Sequence, residues 1–360
     1  AFGGLPTRNF QQGQFEEAEN LNGNTIRDTR LTTNKACFAC TIACGRVCEL
    51  GEHSDKFLVN THPKNWKQAG EGPEYEAAWA LGADTGVGDL DAVLKANWLC
   101  NDLGMDPISM GSTLASAMEL YQEGTVTDEH VEMPLEFGSA EALVRMTEAT
   151  AYREGFGDDL ADGAKLMGEK WENPDVFMGV KGQEFPAYDA RGIQGMGLTY
   201  ATSNRGACHL RGYTVSSEIF GIPEKTEPTE SDGKAGLVKA FQDATGAVDS
   251  SGLCLFTTFA WSLDDIAPQI DAACEGDWTP ERLVEVGERV WNLERMYNLQ
   301  AGFTSADDTL PKRLLKDAAK TGPAEGKTSD LAKMLPEYYD ARGWTTDGVP
   351  SNETLERIAL

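Results

Sequence analysis

The sequence predicts a mostly α-helical protein built as two helical domains, residues 1–178 and 179–360. Three observations carry this. Apolar residues recur at helical spacing through much of the chain, strand-like alternation is scarce, and a Gly-, Pro- and Arg-rich stretch beginning near residue 179 interrupts the helices. A chain of 360 residues with 41% hydrophobic content buries a large core, and its length fits two or three domains.

The elements follow in order. Residues 1–33 are polar and rich in Gly and Asn, which predicts an extended or irregular lead-in, and residues 51–72 read as loop. "GPEYEAAWALGADTG" opens a helix with Pro73 in its first turn, where a missing N–H costs nothing, and Gly82 to Gly88 close it. "DLDAVLKANWLCNDLG" predicts a second helix, with Leu90, Val93, Leu94, Trp98 and Leu99 on one side and a stop at Gly104. A third runs from Ser109 to Gly124. Further helical patterns cover 139–156, 158–171, 233–246, 254–275, 279–299 and 328–342. The intervening "VFMGVKGQEFPAYDARGIQGMGLTYATSNRGACHLRGYT" has little periodicity, and a loop that long inside a compact domain is usually functional.

Asp and Glu number 58 against 31 Lys and Arg, a formal net charge of −27. That argues against nucleic acid and against anionic membranes as partners. The acids are dispersed, which fits a salt-adapted, halophilic cytoplasm as well as an ordinary acidic cytosolic protein. No apolar run approaches the length of a membrane span, and "AFGGLPTRNF" lacks the basic-then-apolar pattern of a signal peptide. The chain also starts without Met, so a fragment or processed piece is expected.

Four of the eight cysteines, Cys37, Cys40, Cys44 and Cys48, fall in "NKACFACTIACGRVCEL" at C-x2-C-x3-C-x3-C spacing. Thiols this close point to a metal in a reducing compartment. Zinc sites usually show two C-x2-C pairs, whereas a compact triplet with a distant fourth Cys is the habit of [4Fe–4S] clusters. Iron–sulfur is therefore the first reading and zinc the second, with His53 and His62 near enough to serve. Spacing leaves the fourth ligand open between Cys48 and a remote residue. Two turns share a shape, "NDLGMD" (Asn101 to Asp106) and "SSGLC" after Asp249 (Asp249 to Cys254), and could form two halves of one cradle. Cys100, Cys208 and Cys274 read as small buried hydrophobes.

Several motifs together, "CFACTIACGR", "GPEYEAAWALGA", "NDLGMD", "FPAYDARG", "YATSNRGACHLRGY", "DSSGLCLFTTF", "DDTLPKRLL" and "MLPEYYDARGW", run over essentially the whole chain. In these it resembles the C-terminal two domains of the tungsten-containing aldehyde:ferredoxin oxidoreductase family. The resemblance implies two helical domains of that type. It implies tungsten, or more rarely molybdenum, held by two pterins, magnesium between the pterin phosphates, and a [4Fe–4S] cluster on Cys37, Cys40, Cys44 and Cys254. The pterins would be held at Asn101, Gly104 and Asp106, at Asp249, Gly252 and Cys254, and by Arg211. Glu76 and His209 would approach the metal as the catalytic pair, and Tyr75 would line the substrate pocket. The reaction implied is oxidation of an aldehyde to a carboxylic acid with ferredoxin as electron acceptor. A catalytically silent iron–sulfur electron-transfer module is the alternative.

Departures from the family pattern carry expectations of their own. The N-terminal pterin-base domain is absent from this chain, residues 51–66 look like an insertion, and Asn101 stands where the family has Asp. Two E-x-x-H metal motifs of some members read "KANW" (Lys95 to Trp98) and "EALV" (Glu141 to Val144) here. The expected assembly is a monomer, or a homodimer without a bridging interface metal.

Read without the resemblance, Glu76 is an acid in a first helical turn and His209 a lone histidine in a Gly/Arg-rich loop. The first would favour the helix dipole and the second would normally be a satisfied core residue.

Overall fold

The computed structural model describes residues 3–51 and 69–360. The chain is mostly α with little sheet, and it divides into two compact units: residues 3–187 with 320–322, and residues 188–319 with 323–360. His53, His62 and the proposed insertion lie outside the described residues.

In the first unit the order is α1 (Ala18–Leu21), α2 (Gly23–Thr29), β1 (Leu31–Lys35), β2 (Gly45–Glu49), β3 (Ala69–Glu71) and α3 (Tyr75–Ala78), which continues as a π-helical turn, Trp79–Asp84. Then come α4 (Leu90–Leu103), α5 (Pro107–Gln122), α6 (Ala140–Tyr152), α7 (Gly157–Leu160) and α8 (Gly163–Lys170). A small hairpin of β4 (Gly179–Val180) and β5 (Gln183–Glu184) follows. Asp89 caps α4 by accepting from the Asp91 and Ala92 amides, and Asp106 caps α5 through Ile108 and Ser109. Gly104 ends α4 at φ 76°, a left-handed position that glycine takes without strain.

Helix α4 is not one-sided as its spacing predicts. Every residue from Ala92 to Cys100 is buried, Lys95 and Asn97 included, so this stretch is enclosed on all sides and only the last turn, at Asn101 and Asp102, is exposed. The lead-in is irregular only up to about residue 17: α1, α2 and the start of β1 occupy 18–33, where Asn22 caps α2 by accepting the Thr25 amide, and the irregular part belongs to the core. Thr7, Asn9 and Phe10 are fully buried. The Asn9 amide donates to Glu119 Oε2 at 2.6 Å and to the Val176 carbonyl at 2.8 Å. Phe10 packs on Trp79 and Phe185 with ring centroids 5.7 and 5.6 Å away. Burying a Phe contributes about 1.5–3 kcal/mol, which explains why a segment without regular structure stays in place.

The second unit holds α9 (Gln194–Thr202), a π-helical turn at Ser216–Phe220, and α10 (Lys234–Ser251). A 3-10 turn at Leu255–Phe259 leads to α11 (Leu263–Ala273), α12 (Pro280–Gln300), α13 (Lys312–Lys316), α14 (Leu331–Arg342) and α15 (Asn352–Arg357). The single helix expected over 254–275 is thus two elements, because Ser262 and Asp265 form a capping box that restarts the backbone at Leu263. Helices α10 and α12 cross closely at Gly287, where an added Cβ would lie 1.8 Å from the Asp243 carbonyl oxygen. Arg342 of α14 is buried, joins α14 to α10 and lies over the Trp291 ring of α12 at 5.4 Å. It donates to Asp243 (2.5 Å), Gln242 (2.7 Å) and the Tyr338 hydroxyl (3.0 Å). Lys234 and Glu218 form a second buried pair at 2.6 Å. Among the described residues, no helix is long and apolar enough to cross a membrane.

Candidate functional site

The cysteine triplet sits on the loop that joins two paired strands. Leu31 pairs with Cys48 and Lys35 with Gly45, so residues 36–44 form the turn end of an antiparallel hairpin, and β3 extends the sheet on the far side of β2. Cys37 and Cys44 are exposed and Cys40 is half-buried, while Cys48 is on β2 and fully buried. Burial pushes the Cys48 thiol above its usual range, only partly countered by Arg46. The two kinds of sulfur differ because a strand alternates its faces and a loop does not. Ala39 and Ala43 hold left-handed φ values of 56° and 49°, each just before a cysteine of the triplet. Such positions cost an alanine of order 1 kcal/mol. Among the described residues, no three His, Cys, Asp or Glu side chains are gathered closely enough to hold a metal ion.

Glu76 lies in the first turn of α3, where its Oε2 accepts the Ala187 amide at 2.7 Å. Tyr75 beside it is 48% exposed, and its hydroxyl donates to the Gly4 carbonyl. Helix α3 is only four residues before the π-helical turn begins, so Glu76 stands where the helical spacing changes.

The two matched turns are both helix ends. Gly104 (φ 76°) closes α4 and Gly252 (φ 75°) closes α10, and nothing lies within 4 Å of a Cβ added at either. Each glycine is therefore required by its backbone angle, and open space lies in front of it. Asn101 stands in the last turn of α4 and donates to the Glu71 carbonyl at 3.5 Å. Asp106 spends Oδ1 on the α5 cap. In the second turn Asp249 is half-exposed and Cys254 is exposed.

His209, Arg211 and Asp249 all belong to the second unit. The Asp249 carboxylate lies 3.9 Å from Arg211 Nε, and Arg211 Nη1 donates to both Glu294 oxygens at 2.6 and 2.7 Å. Arg211 is therefore already paired with acids from α10 and α12. With Arg205, Glu294, Tyr297 and Asn298 it lines a surface pocket of about 360 Å³. His209 packs against Tyr188 and Tyr213, whose hydroxyls bond each other at 2.8 Å. Burial first, and the Arg205 charge second, pull the His209 imidazole down to about 4. At neutral pH it is a neutral ring that can donate one N–H. The sequence reading named neither tyrosine nor Glu294. Tyr213 follows His209 by four residues, but Glu294 and Tyr188 have no local signal that ties them to the site.

Of the other cysteines, Cys100 and Cys208 are buried as expected and Cys274 is exposed. Cys274 ends α11 beyond its last buried residue, Ala267, so no core remains there to receive it.

The donor chemistry fits the groups that the motifs imply. Three accessible, soft thiols on one hairpin loop suit iron–sulfur ligation, and the open helix end in each unit leaves room for a bound group.

By architecture this is a mostly α-helical protein of two compact units. Its backbone aligns with the active-site complex BamBC of benzoyl coenzyme A reductase at a TM-score of 0.71 and 18% identity, over 94% of this chain and 54% of that one. The family model for aldehyde ferredoxin oxidoreductase, domains 2 and 3, matches residues 1–360. The chain is 46% identical to the tungsten-containing aldehyde ferredoxin oxidoreductase of Pyrococcus abyssi and 45% identical to that of Pyrococcus furiosus, each over 99% of this chain. It belongs to the aldehyde ferredoxin oxidoreductase family and spans 57% of the length of these relatives.

Proposed function

We propose that the chain forms the two helical domains of a tungstopterin enzyme that oxidises aldehydes to carboxylic acids and delivers the electrons to ferredoxin. The observation that carries this reading is the match to the tungsten-containing relatives along 99% of the chain, with the cysteine triplet, Glu76, His209 and both Gly turns all present. The balance is aldehyde plus water to carboxylate, two electrons and protons. When bound, a tungsten (or molybdenum) bis-pterin would supply a two-electron acceptor and a [4Fe–4S] cluster a one-electron relay.

In this reading the chain's own residues divide the work. Cys37, Cys40, Cys44 and Cys254 hold the cluster, and Cys48 packs the sheet. Asn101, Gly104 and Asp106 would hold one pterin, and Asp249, Gly252, Cys254 and Arg211 the other, with magnesium as their companion ion. Cys254 ends the turn that begins at Asp249, so one turn serves cluster and pterin together. The neutral His209 ring donates an N–H to the aldehyde oxygen, which favours the charge that gathers there as water adds. The Glu76 carboxylate accepts a proton from the attacking water. Tyr75 borders the aldehyde. The dispersed acid excess supports a salt-adapted cytoplasm, and the altered E-x-x-H positions support a monomer, or a dimer without a shared metal.

Elemental analysis of the full-length protein, paired with aldehyde-dependent dye reduction, tests the proposal. Iron together with tungsten or molybdenum and a rate that depends on aldehyde is the expected result. Iron alone with no rate leaves only a silent electron-transfer module.

A further inference from the structure

The second unit carries a run of aromatic rings that begins at His209 and ends in the open. Tyr213 packs on His209 at 6.2 Å and meets Phe259 edge-on at 6.4 Å. Phe259 in turn meets Phe220 edge-on at 6.1 Å and stacks with Phe256 at 6.3 Å. Phe220, Phe256 and Phe259 are 58%, 46% and 39% exposed.

These three rings do not serve the core. The 3-10 turn Leu255–Phe259 contains no buried residue, so Phe256 and Phe259 fill no interior space. They come from two separate elements, the turn after Cys254 and the end of the π-helical turn, and they converge on each other. Exposed apolar groups that cluster in a chain of net charge −27 mark a ligand surface more than a chance distribution. What the surface receives follows from its continuity with His209. Tyr213 lies between His209 and Phe259. Tyr213 touches both rings, so an aldehyde whose oxygen meets His209 has a continuous aromatic path over Tyr213 to Phe259.

We propose that Phe259, supported by Phe220 and Phe256, is the specificity wall for the apolar tail of the aldehyde and selects ring-bearing aldehydes over two-carbon ones. This rests on the aldehyde oxidation proposed above and names the substrate class for the same site. A substrate ring gains edge-to-face and offset contacts on the wall that a methyl group cannot make.

The test uses the full-length holoenzyme and its Phe259→Ala, Phe259→Leu and Phe220→Ala variants. One arm measures kcat/KM for 3-phenylpropanal and for acetaldehyde. The other measures calorimetric binding of 3-phenylpropionate and of acetate, the corresponding acids. In Phe259→Ala, kcat/KM for 3-phenylpropanal falls about ten-fold, mostly through KM, and the acetaldehyde value stays within about two-fold. The 3-phenylpropionate affinity falls by a similar factor, Phe259→Leu recovers most of both losses, and Phe220→Ala shows a smaller loss of the same kind. Equal loss for both aldehydes, or none, overturns the wall, and so does a wild-type protein that fails to bind 3-phenylpropionate. Binding of 3-phenylpropionate that Phe259→Ala weakens, in a protein that oxidises neither aldehyde, upholds the wall and removes the oxidation reading. Oxidation of both aldehydes with unchanged selectivity in every variant does the reverse.

Discussion

His209 should make the protein lose stability on acidification, through one group and over one range of pH. Its imidazole is pulled from 6.5 down to about 4, first by burial and then by Arg205. The sign follows from which state takes up the proton. Below pH 6.5 the unfolded chain protonates this ring and the folded chain does not, so stability falls as pH falls. The loss levels off only below about 4, where the folded ring is protonated too. Between pH 7 and pH 4.5 those two values give a loss of about 2 kcal/mol attributable to His209. Urea unfolding at pH 7, 5.5 and 4.5 reads it, comparing wild type with His209→Gln. The variant should lose about 2 kcal/mol less over that interval. An NMR titration of the imidazole should show no inflection between pH 5 and 8. Arg205→Ala should raise the inflection only slightly, because burial outranks the charge. A ring that titrates near 6.5, or a variant with the wild-type pH slope, would refute the argument. It would also remove the basis for treating His209 as a neutral donor.

Cys48→Ser should keep the full iron content and visible absorbance of the cluster, and Cys254→Ser should lose or alter them; the reverse result returns the site to a local four-cysteine loop. Glu76→Gln should lower aldehyde oxidation by about 10²–10⁴ with both metals retained, as expected for loss of a proton acceptor, and near wild-type rates would exclude that role. His209→Asn should cost about 10²–10³ in kcat, the scale of one lost hydrogen-bond donor to a developing oxyanion, again with metals unchanged. Lys234→Met should destabilise the fold by about 3–5 kcal/mol, because it strands the Glu218 carboxylate that burial already disfavours. Denaturant melts should show that Lys234→Met combined with Glu218→Gln recovers much of that loss. A fully additive double variant would mean that the pair is not coupled.

The sequence was most legible where helices begin and end on recognisable side chains. α4 starts after Asp89 and stops at Gly104, so cap and periodicity agree there, whereas α5 is capped by Asp106 and begins at Pro107, two residues before the Ser109 that its pattern indicates. It was least legible where burial is complete. All nine residues of α9 are buried, so the helix has no polar face and its pattern is lost inside a stretch that reads as loop. The same enclosure hid the far side of α4. The hairpin around the cysteines was missed for the opposite reason. β1 is nearly all exposed and polar, and its pairing with β2 is fixed by partners across the sheet rather than by its own pattern. For the candidate site, the motifs singled out Glu76, His209 and the two turns. They did not indicate that Arg211 is held by Glu294, because that contact spans 83 residues. Spacing alone did not separate Cys48 from its three neighbours, since four thiols at similar spacing look alike until one of them enters a strand; only the resemblance set Cys254 in its place.

That separation divides the thiols into two chemical populations. Cys37, Cys40, Cys44, Cys254 and Cys274 have solvent contact, and Cys48, Cys100 and Cys208 are buried. A brief exposure of the metal-free native chain to an alkylating reagent would therefore modify five sulfurs and spare three, and unfolding would release the rest. The spacing that made the four cysteines look equivalent would appear in a mass spectrum as three fast sites and one slow one.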